Sequence, residues 1–305
     1  MIFVFAIGAI KTLSFLISSC CGCKDYCCRG RQNLRAKYGR EDGSSYAVIT
    51  GGSEGLGLEL CDQLAEQGFN IAMVSRNIAK IESRIEVLQQ KYPAIKFKAV
   101  AADCASKTTV QEYTDLIANE LADLDIGIWC VNAGCWLQGP TDLVDDASFE
   151  RVFGLNGLHV VYMIKALLPK VKARGQKSAI LVTSSSLANA AMPGLAAYCA
   201  SKAMVSTFAE ALSFEIREWA DVTAWELGPC DTNLFSEMPE EDMKFRSLMK
   251  TPPQAVAGVL RQLGRTRKTN GNYFYHILDG AYPPLGLVGA NAAKEERARF
   301  TRSQT

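Results

Sequence analysis

The sequence lacks an excess of charge of either sign. Its 33 lysines and arginines against 32 acids leave a formal net charge of +1. That balance argues against a nucleic-acid binder that works by neutralising phosphates. Histidine is almost absent: the two present, His159 in an expected helix and His276 in an expected strand, read as structural rather than catalytic. Internal repeats, disordered tracts and interior linkers are missing. No basic region precedes the first apolar run and no Ala-x-Ala site closes it, which argues against a cleaved signal peptide. Cysteine, by contrast, is plentiful at 11. Six of these, Cys61, Cys104, Cys130, Cys135, Cys199 and Cys230, are scattered over expected strand ends and helix faces. That scatter fits buried thiols in a reducing compartment and excludes a secreted disulfide framework.

What is present is a globular composition, 48% hydrophobic and 21% charged over 305 residues. That length accommodates one large domain with extensions. From Tyr46 onward short apolar runs alternate with longer helical stretches. Strands are expected at 46–50, 70–74, 97–102, 126–131, 179–183 and 222–227. Helices are expected at 57–68, 78–91, 109–122, 148–172 and 197–219. The alternation predicts an α/β fold, a Rossmann-type doubly wound parallel sheet covered by helices on both faces. We expect a single domain over 45–280, preceded by an apolar, membrane-associated segment and a basic, cysteine-rich linker (1–44) and followed by a C-terminal extension (281–305).

Ile2 to Ile17 is apolar except for Lys11, Thr12 and Ser14. The run is a little short for a spanning helix, which needs roughly 17–25 residues. Lys11, Ser14 and Ser18 would form one polar stripe on a helix, which fits an interfacial helix or a span packed against a partner. A helix docked on its own domain or a presequence is the bland alternative. Lys24, Arg29, Arg31, Arg35, Lys37 and Arg40 follow, placing the main domain on the cytoplasmic side. Cys20, Cys21, Cys23, Cys27 and Cys28 stand behind the apolar run, where they are either unmodified thiols or S-palmitoylation sites. Zinc is a third reading, since four thiolates suffice, but the adjacent pairs lack the usual ligand spacing and no metal site is assigned.

The first expected strand ends at Thr50, and the next helix opens with Gly51-Gly52-Ser53-Glu54-Gly55-Leu56-Gly57. Glycine lets backbone approach a pyrophosphate, and the helix N-terminus offers free N–H groups and a positive dipole. Thr50, Gly51, Ser53, Gly55, Leu56 and Gly57 therefore form the expected nucleotide cradle. Where an NAD site carries an acid after the second strand, this chain has Ser75-Arg76-Asn77. Arg76 can pair with a 2′-phosphate through its planar fork, so the expected cofactor is NADP(H).

Tyr198 and Lys202 share one face of an expected helix. A free tyrosine titrates near pH ~10, and a neighbouring ammonium is expected to lower that value. Tyr198 then becomes a proton donor to an alkoxide forming during hydride transfer. Ser185, at the carboxyl end of the preceding strand, is placed to hydrogen-bond the substrate oxygen.

These residues resemble the short-chain dehydrogenase/reductase family over nearly the whole chain from Ser45. Its Thr-Gly-x-x-x-Gly-x-Gly matches Thr50, Gly51, Gly55 and Gly57. Its Asn-Ala-Gly matches Asn132, Ala133 and Gly134, and its Ser-Tyr-Lys set matches Ser185, Tyr198 and Lys202. The resemblance implies that Asp103 contacts adenine and that Asn156 supports a proton relay through water and the lysine. It further implies that Pro229 and Thr232 border the nicotinamide. Leu34 to Gly39, Asp125 to Ile128 and Thr269-Asn270-Gly271 are similar to the membrane-bound branch of 17β-hydroxysteroid dehydrogenases and very-long-chain 3-oxoacyl-CoA reductases. The 3-ketodihydrosphingosine reductases are a near alternative. Val131 and Gly228-Pro229-Cys230 depart from the family pattern.

The resemblance implies NADPH-dependent reduction of a ketone on a lipid-like substrate, a 3-oxoacyl thioester or a steroid. It also implies a homodimer and a membrane location, the endoplasmic reticulum or else the mitochondrion. A nucleotide-holding structural subunit of a membrane complex is the rival from another class. Asn233 to Lys250 is the expected substrate lid, and Ala281 to Ala290 is expected to touch membrane or pocket. Glu226, an acid in an apolar strand, has no account at this level.

Overall fold

A computed structural model describes residues 30–232, 249–271, 297–298 and 300–302. Seven parallel strands form one sheet in the order β3-β2-β1-β4-β5-β6-β7. They are β1 (Tyr46–Thr50), β2 (Asn70–Ser75), β3 (Phe97–Ala101), β4 (Ile126–Val131), β5 (Ser178–Thr183), β6 (Ala220–Trp225) and β7 (Lys268–Thr269). The order runs outward from β1 in both directions, so the crossover reverses between β1 and β4. In such a sheet the crevice at the carboxyl ends, at that switch point, is where ligands bind.

Eight α-helices are described: α1 (Leu34–Tyr38), α2 (Gly55–Glu66), α3 (Ile78–Lys91), α4 (Val110–Glu120), α5 (Asp146–Phe153), α6 (His159–Ala173), α7 (Ala196–Glu215) and α8 (Pro252–Gln262). Their starts follow from local chemistry. Asn77 accepts from Lys80 N–H at 3.0 Å, and Asp145 accepts from Ser148 N–H at 2.8 Å. Thr109 and Glu112 make a reciprocal capping box. The central strands β4 and β5 are buried along their whole length, because both sheet faces are covered. Val48, Trp129, Ile164, Leu167, Val182 and Val205 fill one interior layer. Ile49, Leu60, Leu64, Ile71, Leu181 and Val256 fill the other.

The strands and the first helices fall where the apolar periodicity places them, with β4 and α3 on the expected bounds. Three differences have physical causes. Residues 30–44, expected as linker, pack onto the domain: Leu34 and Tyr38 are fully buried, and the Tyr38 hydroxyl donates to Asp221 at 2.8 Å. Arg174 reinforces this corner. It donates to Tyr38 O at 2.7 Å and to both oxygens of Asp125. The pair holds the Asp125 carboxyl down at about 2, the hydrogen bonds to Arg174 and Ser45 overcoming burial. Secondly, the single helix expected over 148–172 is two helices joined by a π-turn at Gly154–Leu158. The stretch Asp146–Ala173 is long and apolar enough to cross a membrane by composition, but half of its most apolar window is buried as a core element. Thirdly, α8 and β7 were not expected. Pro252 and Pro253 lie in the first turn of α8, where proline's missing N–H costs nothing.

Glu226 finds its account here. Ser206 Oγ donates to it at 2.6 Å and Lys268 Nζ lies at 3.1 Å, so the acid ties β6 to α7 and β7. The expected apolar N-terminal helix, the Cys20–Cys28 cluster, His276 and residues 281–290 lie outside the described residues. So does the expected lid Asn233 to Lys250, apart from its last two residues.

Candidate active site

A cleft opens at the carboxyl edge of the sheet. The β1–α2 turn supplies its floor, with Gly51, Ser53, Gly55, Leu56 and Gly57 among the lining residues. Gly51 and Gly55 have φ of +69° and +53°, a left-handed backbone suited to glycine. A Cβ at Gly57 would overlap the Gly51 carbonyl oxygen, whereas a Cβ at Gly55 would meet nothing within 4 Å. The turn is thus closed on its inner side and open toward the cleft at the N-terminus of α2, a shape that fits a diphosphate. Ser53 Oγ and Ser75 Oγ lie 3.0 Å apart, tying the turn to the end of β2.

Arg76 and Asp103 are exposed at the rim of the same cleft. Asp103 Oδ1 accepts from Ala105 N–H at 3.0 Å, which fixes the carboxylate against its own loop. Asn132, Ala133 and Gly134 continue the wall at the end of β4. Thr50 does not line the cleft; it is buried and works from behind. Its Oγ1 accepts from Asn132 N–H at 2.9 Å and Ala133 N–H at 3.0 Å.

Tyr198 and Lys202 project from the first turns of α7 into the cleft. Lys202 Nζ donates to Thr183 O at 3.1 Å and lies 5.9 Å from the Tyr198 ring centroid. Burial pulls the ammonium down to about 8. The Tyr198 phenol goes the other way, pushed up to about 12 by burial and partly relieved by its hydrogen bond with Ser185. Desolvation acts on the phenol against the lowering expected from the Lys202 ammonium, which is not among the causes of the shift. The consequence is a phenol that keeps its proton at neutral pH, the state a proton donor needs. Ser185, at the end of β5, is buried beside it and also accepts from Leu187 N–H at 3.2 Å.

Asn156 sits in the π-turn, fully buried. Its Oδ1 accepts from Cys135 N–H at 2.8 Å and its Nδ2 donates to Cys135 O at 2.9 Å. Both ends of the amide thus clamp the backbone that follows Gly134. Thr232 lies in the cleft wall. Pro229 is not among the lining residues; its carbonyl accepts from Lys250 N–H at 3.2 Å, within a short bridge that pairs Cys230 with Lys250.

Several lining residues escaped the sequence reading: Val74, Cys104, Cys135, Leu155, Thr183 and Leu227. All stand at or just beyond strand ends, apart from Leu155 in the π-turn, so the strand-end rule offered a signal for most of them. Trp136, Leu137, Phe149, Phe153 and Leu187 pack around Val152, Ala197 and Tyr198. The Trp136 ring centroid is 4.6 Å from that of Tyr198.

Fold and cleft together define an α/β oxidoreductase that takes a nicotinamide cofactor. The chain belongs to the short chain dehydrogenase family, which it matches over residues 45–243. It is 34% identical over 234 residues to the very-long-chain 3-oxoacyl-CoA reductase of Neurospora crassa, covering 76% of this chain and 68% of that one. It is 28% identical to the human very-long-chain 3-oxoacyl-CoA reductase, covering 77% of this chain and 73% of the other. Among solved structures, one from a study of 7β-hydroxysteroid dehydrogenase stereoselectivity superposes with a TM-score of 0.71 at 22% identity, covering 88% of this chain and 99% of that one. A Sphingobium yanoikuyae short-chain dehydrogenase in complex with NADPH gives 0.65 at 21% identity, covering 80% and 95%. A Brucella melitensis 3-ketoacyl-(acyl-carrier-protein) reductase complexed with NADH gives 0.64 at 24% identity, covering 74% and 95%. The three share the fold, and the last two differ in the nucleotide they carry.

Proposed function

We propose that this protein reduces the 3-keto group of a long-chain 3-oxoacyl thioester with NADPH, at a membrane that its N-terminal segment engages. The observation that carries the reading is the convergence of Ser185, Tyr198 and Lys202 beside the Gly51–Gly57 cradle. The cradle and Asn132 to Gly134 would hold the nucleotide, with Asp103 placed for the adenine end and Arg76 for a 2′-phosphate. When bound, the nucleotide supplies the hydride.

The chain's own residues manage the proton. Ser185 Oγ and the Tyr198 hydroxyl hydrogen-bond the ketone oxygen and set its orientation. Tyr198 gives its proton to that oxygen as negative charge develops there. The Lys202 ammonium stabilises the phenolate left behind. Asn156 holds the Cys135 backbone and so keeps the wall beside Lys202 in place. The apolar group of Trp136, Leu137, Phe149, Phe153 and Leu187 favours a hydrocarbon chain next to the reacting carbon, and the names of the relatives favour an acyl-CoA over a steroid.

The test is NADPH oxidation by detergent-purified protein with 3-oxoacyl-CoA of increasing chain length. Turnover that rises with chain length is the expected result. Turnover on 17-keto steroids or 3-ketodihydrosphingosine alone would replace the substrate assignment.

A further inference from the structure

His159 takes no part in the mechanism above, yet it is fully buried at the first residue of α6, just after the π-turn. Its Nε2 lies 3.3 Å from Thr50 Oγ1 and its Nδ1 lies 3.2 Å from the Tyr113 hydroxyl. The partners on either side fix every proton. Thr50 Oγ1 already accepts from two backbone N–H groups, those of Asn132 and Ala133. A hydroxyl has two acceptor positions and one donor, so Thr50 has only its proton left to offer, and His159 Nε2 must accept it. At the other end, the Tyr113 hydroxyl donates to Cys104 O at 2.9 Å. Its oxygen therefore accepts, and His159 Nδ1 carries the hydrogen. The chain of donors runs from Asn132 and Ala133 through Thr50, His159 and Tyr113 to Cys104, with no polar atom along it left unmatched.

The two ends of this chain stand on opposite parts of one cleft. Asn132 and Ala133 close β4 on the side of Lys202, and Cys104 follows Asp103 beyond β3; all of them line the cleft. The same series extends past Asn132. Thr183 Oγ1 donates to Asn132 Oδ1 at 3.1 Å, and Lys202 Nζ donates to Thr183 O at 3.1 Å. We infer that His159 is a positioning residue for the nucleotide: as a neutral, Nδ1-protonated imidazole it bridges the adenine-side loop and the Asn132–Gly134 wall and holds them at the spacing that one dinucleotide spans. The inference rests on nucleotide binding in this cleft and is independent of which ketone is reduced.

The test compares NADPH and NADH dissociation constants, by fluorescence titration of the purified protein, for wild type, His159→Leu, His159→Gln and Tyr113→Phe, together with thermal midpoints. Leucine removes both hydrogen bonds and keeps an apolar filling, whereas glutamine can accept from Thr50 and donate to Tyr113. Removing a buried partner strands the other groups. His159→Leu should therefore weaken NADPH binding about tenfold, Tyr113→Phe should weaken it about threefold, and His159→Gln should stay within about twofold of wild type. In the assay with substrate, KM for NADPH should rise in the same order with kcat little changed. Wild-type affinity in His159→Leu overturns the inference. So does a His159→Gln protein as weak as the leucine variant, because filling rather than hydrogen bonding would then be what matters. Where His159→Leu fails to fold, Tyr113→Phe decides: unchanged nucleotide affinity overturns the bridge. A wild-type preference for NADH would sink the NADPH assignment and leave the ratios between variants to judge His159.

Discussion

Gly57→Ala should cost stability and nucleotide binding together, and the reason is steric. Gly57 lies in the first turn of α2, where alanine would ordinarily be favoured by about 1 kcal/mol. Here the added methyl would overlap the Gly51 carbonyl oxygen, with the Gly51 carbonyl carbon at 2.7 Å and Asn132 Nδ2 at 3.0 Å. The carbonyl cannot simply retreat. Gly51 N–H is held by Val74 O at 2.8 Å, and Ala133 Cα stands 3.1 Å from where a Gly51 Cβ would be. Overpacking of this kind costs about 1–3 kcal/mol, and against backbone the upper end applies. Subtracting the helical gain leaves roughly 1–2 kcal/mol of destabilisation, or about 2–8 °C in the thermal midpoint for a domain of this size. The displaced turn should also weaken NADPH binding by about tenfold or more. Gly154→Ala is the control with opposite sign. Its nearest neighbour would be Ala105 O at 3.6 Å, an ordinary contact, and its φ is −57°. That variant should melt at or slightly above wild type. Circular-dichroism melts and NADPH titrations check both. A Gly57→Ala protein with the wild-type midpoint and affinity would refute the steric argument.

Other outcomes follow from the same geometry. Tyr198→Phe should lower turnover at least about 100-fold while NADPH affinity stays within about twofold; substantial remaining turnover would show that another group gives the proton. Lys202 is charged below about 8, so the reduction rate should fall as pH rises through that value. Lys202→Arg, with its charge fixed, should lose this alkaline limb, which a pH–rate profile reads directly. His159 is held at about 3 by burial, with the Lys202 charge adding to the effect. The unfolded chain protonates near ~6.5, so the stabilisation is full above that pH and fades as pH falls toward 3. By about pH 5 the loss is about 2 kcal/mol, and a denaturant series should show it in wild type and not in His159→Gln. Arg76→Asp should erode discrimination between NADPH and NADH by about tenfold or more; an unchanged ratio would reject the role of Arg76.

Most of the sheet, and the placing of Tyr198 and Lys202 together in one cleft, were legible because each depends on a local pattern. Unbroken apolar runs such as Ile126–Val131 specify a strand covered on both faces, and the Tyr198–Lys202 spacing places both side chains on one helix face. What escaped depends on contacts distant in sequence. The Tyr198 proton is set by burial under Trp136 and neighbours that no spacing reveals. The π-turn at Asn156 is bound to Cys135, 21 residues away. Tyr38 reads as linker until Asp221, 183 residues later, receives its hydroxyl. His159 reads as a core histidine, and only the combined partners of Thr50 and Tyr113 reveal its tautomer and its place between two walls of the cleft.

The measurement closest to the central claim is NADPH oxidation by the full-length, detergent-purified protein on a 3-oxoacyl-CoA series, run beside Tyr198→Phe. The account predicts turnover on the long-chain thioesters, a preference for NADPH over NADH, and near-complete loss in the variant with its nucleotide affinity retained. Tight NADPH binding with no turnover on the long-chain thioesters, or turnover that survives Tyr198→Phe, would contradict it.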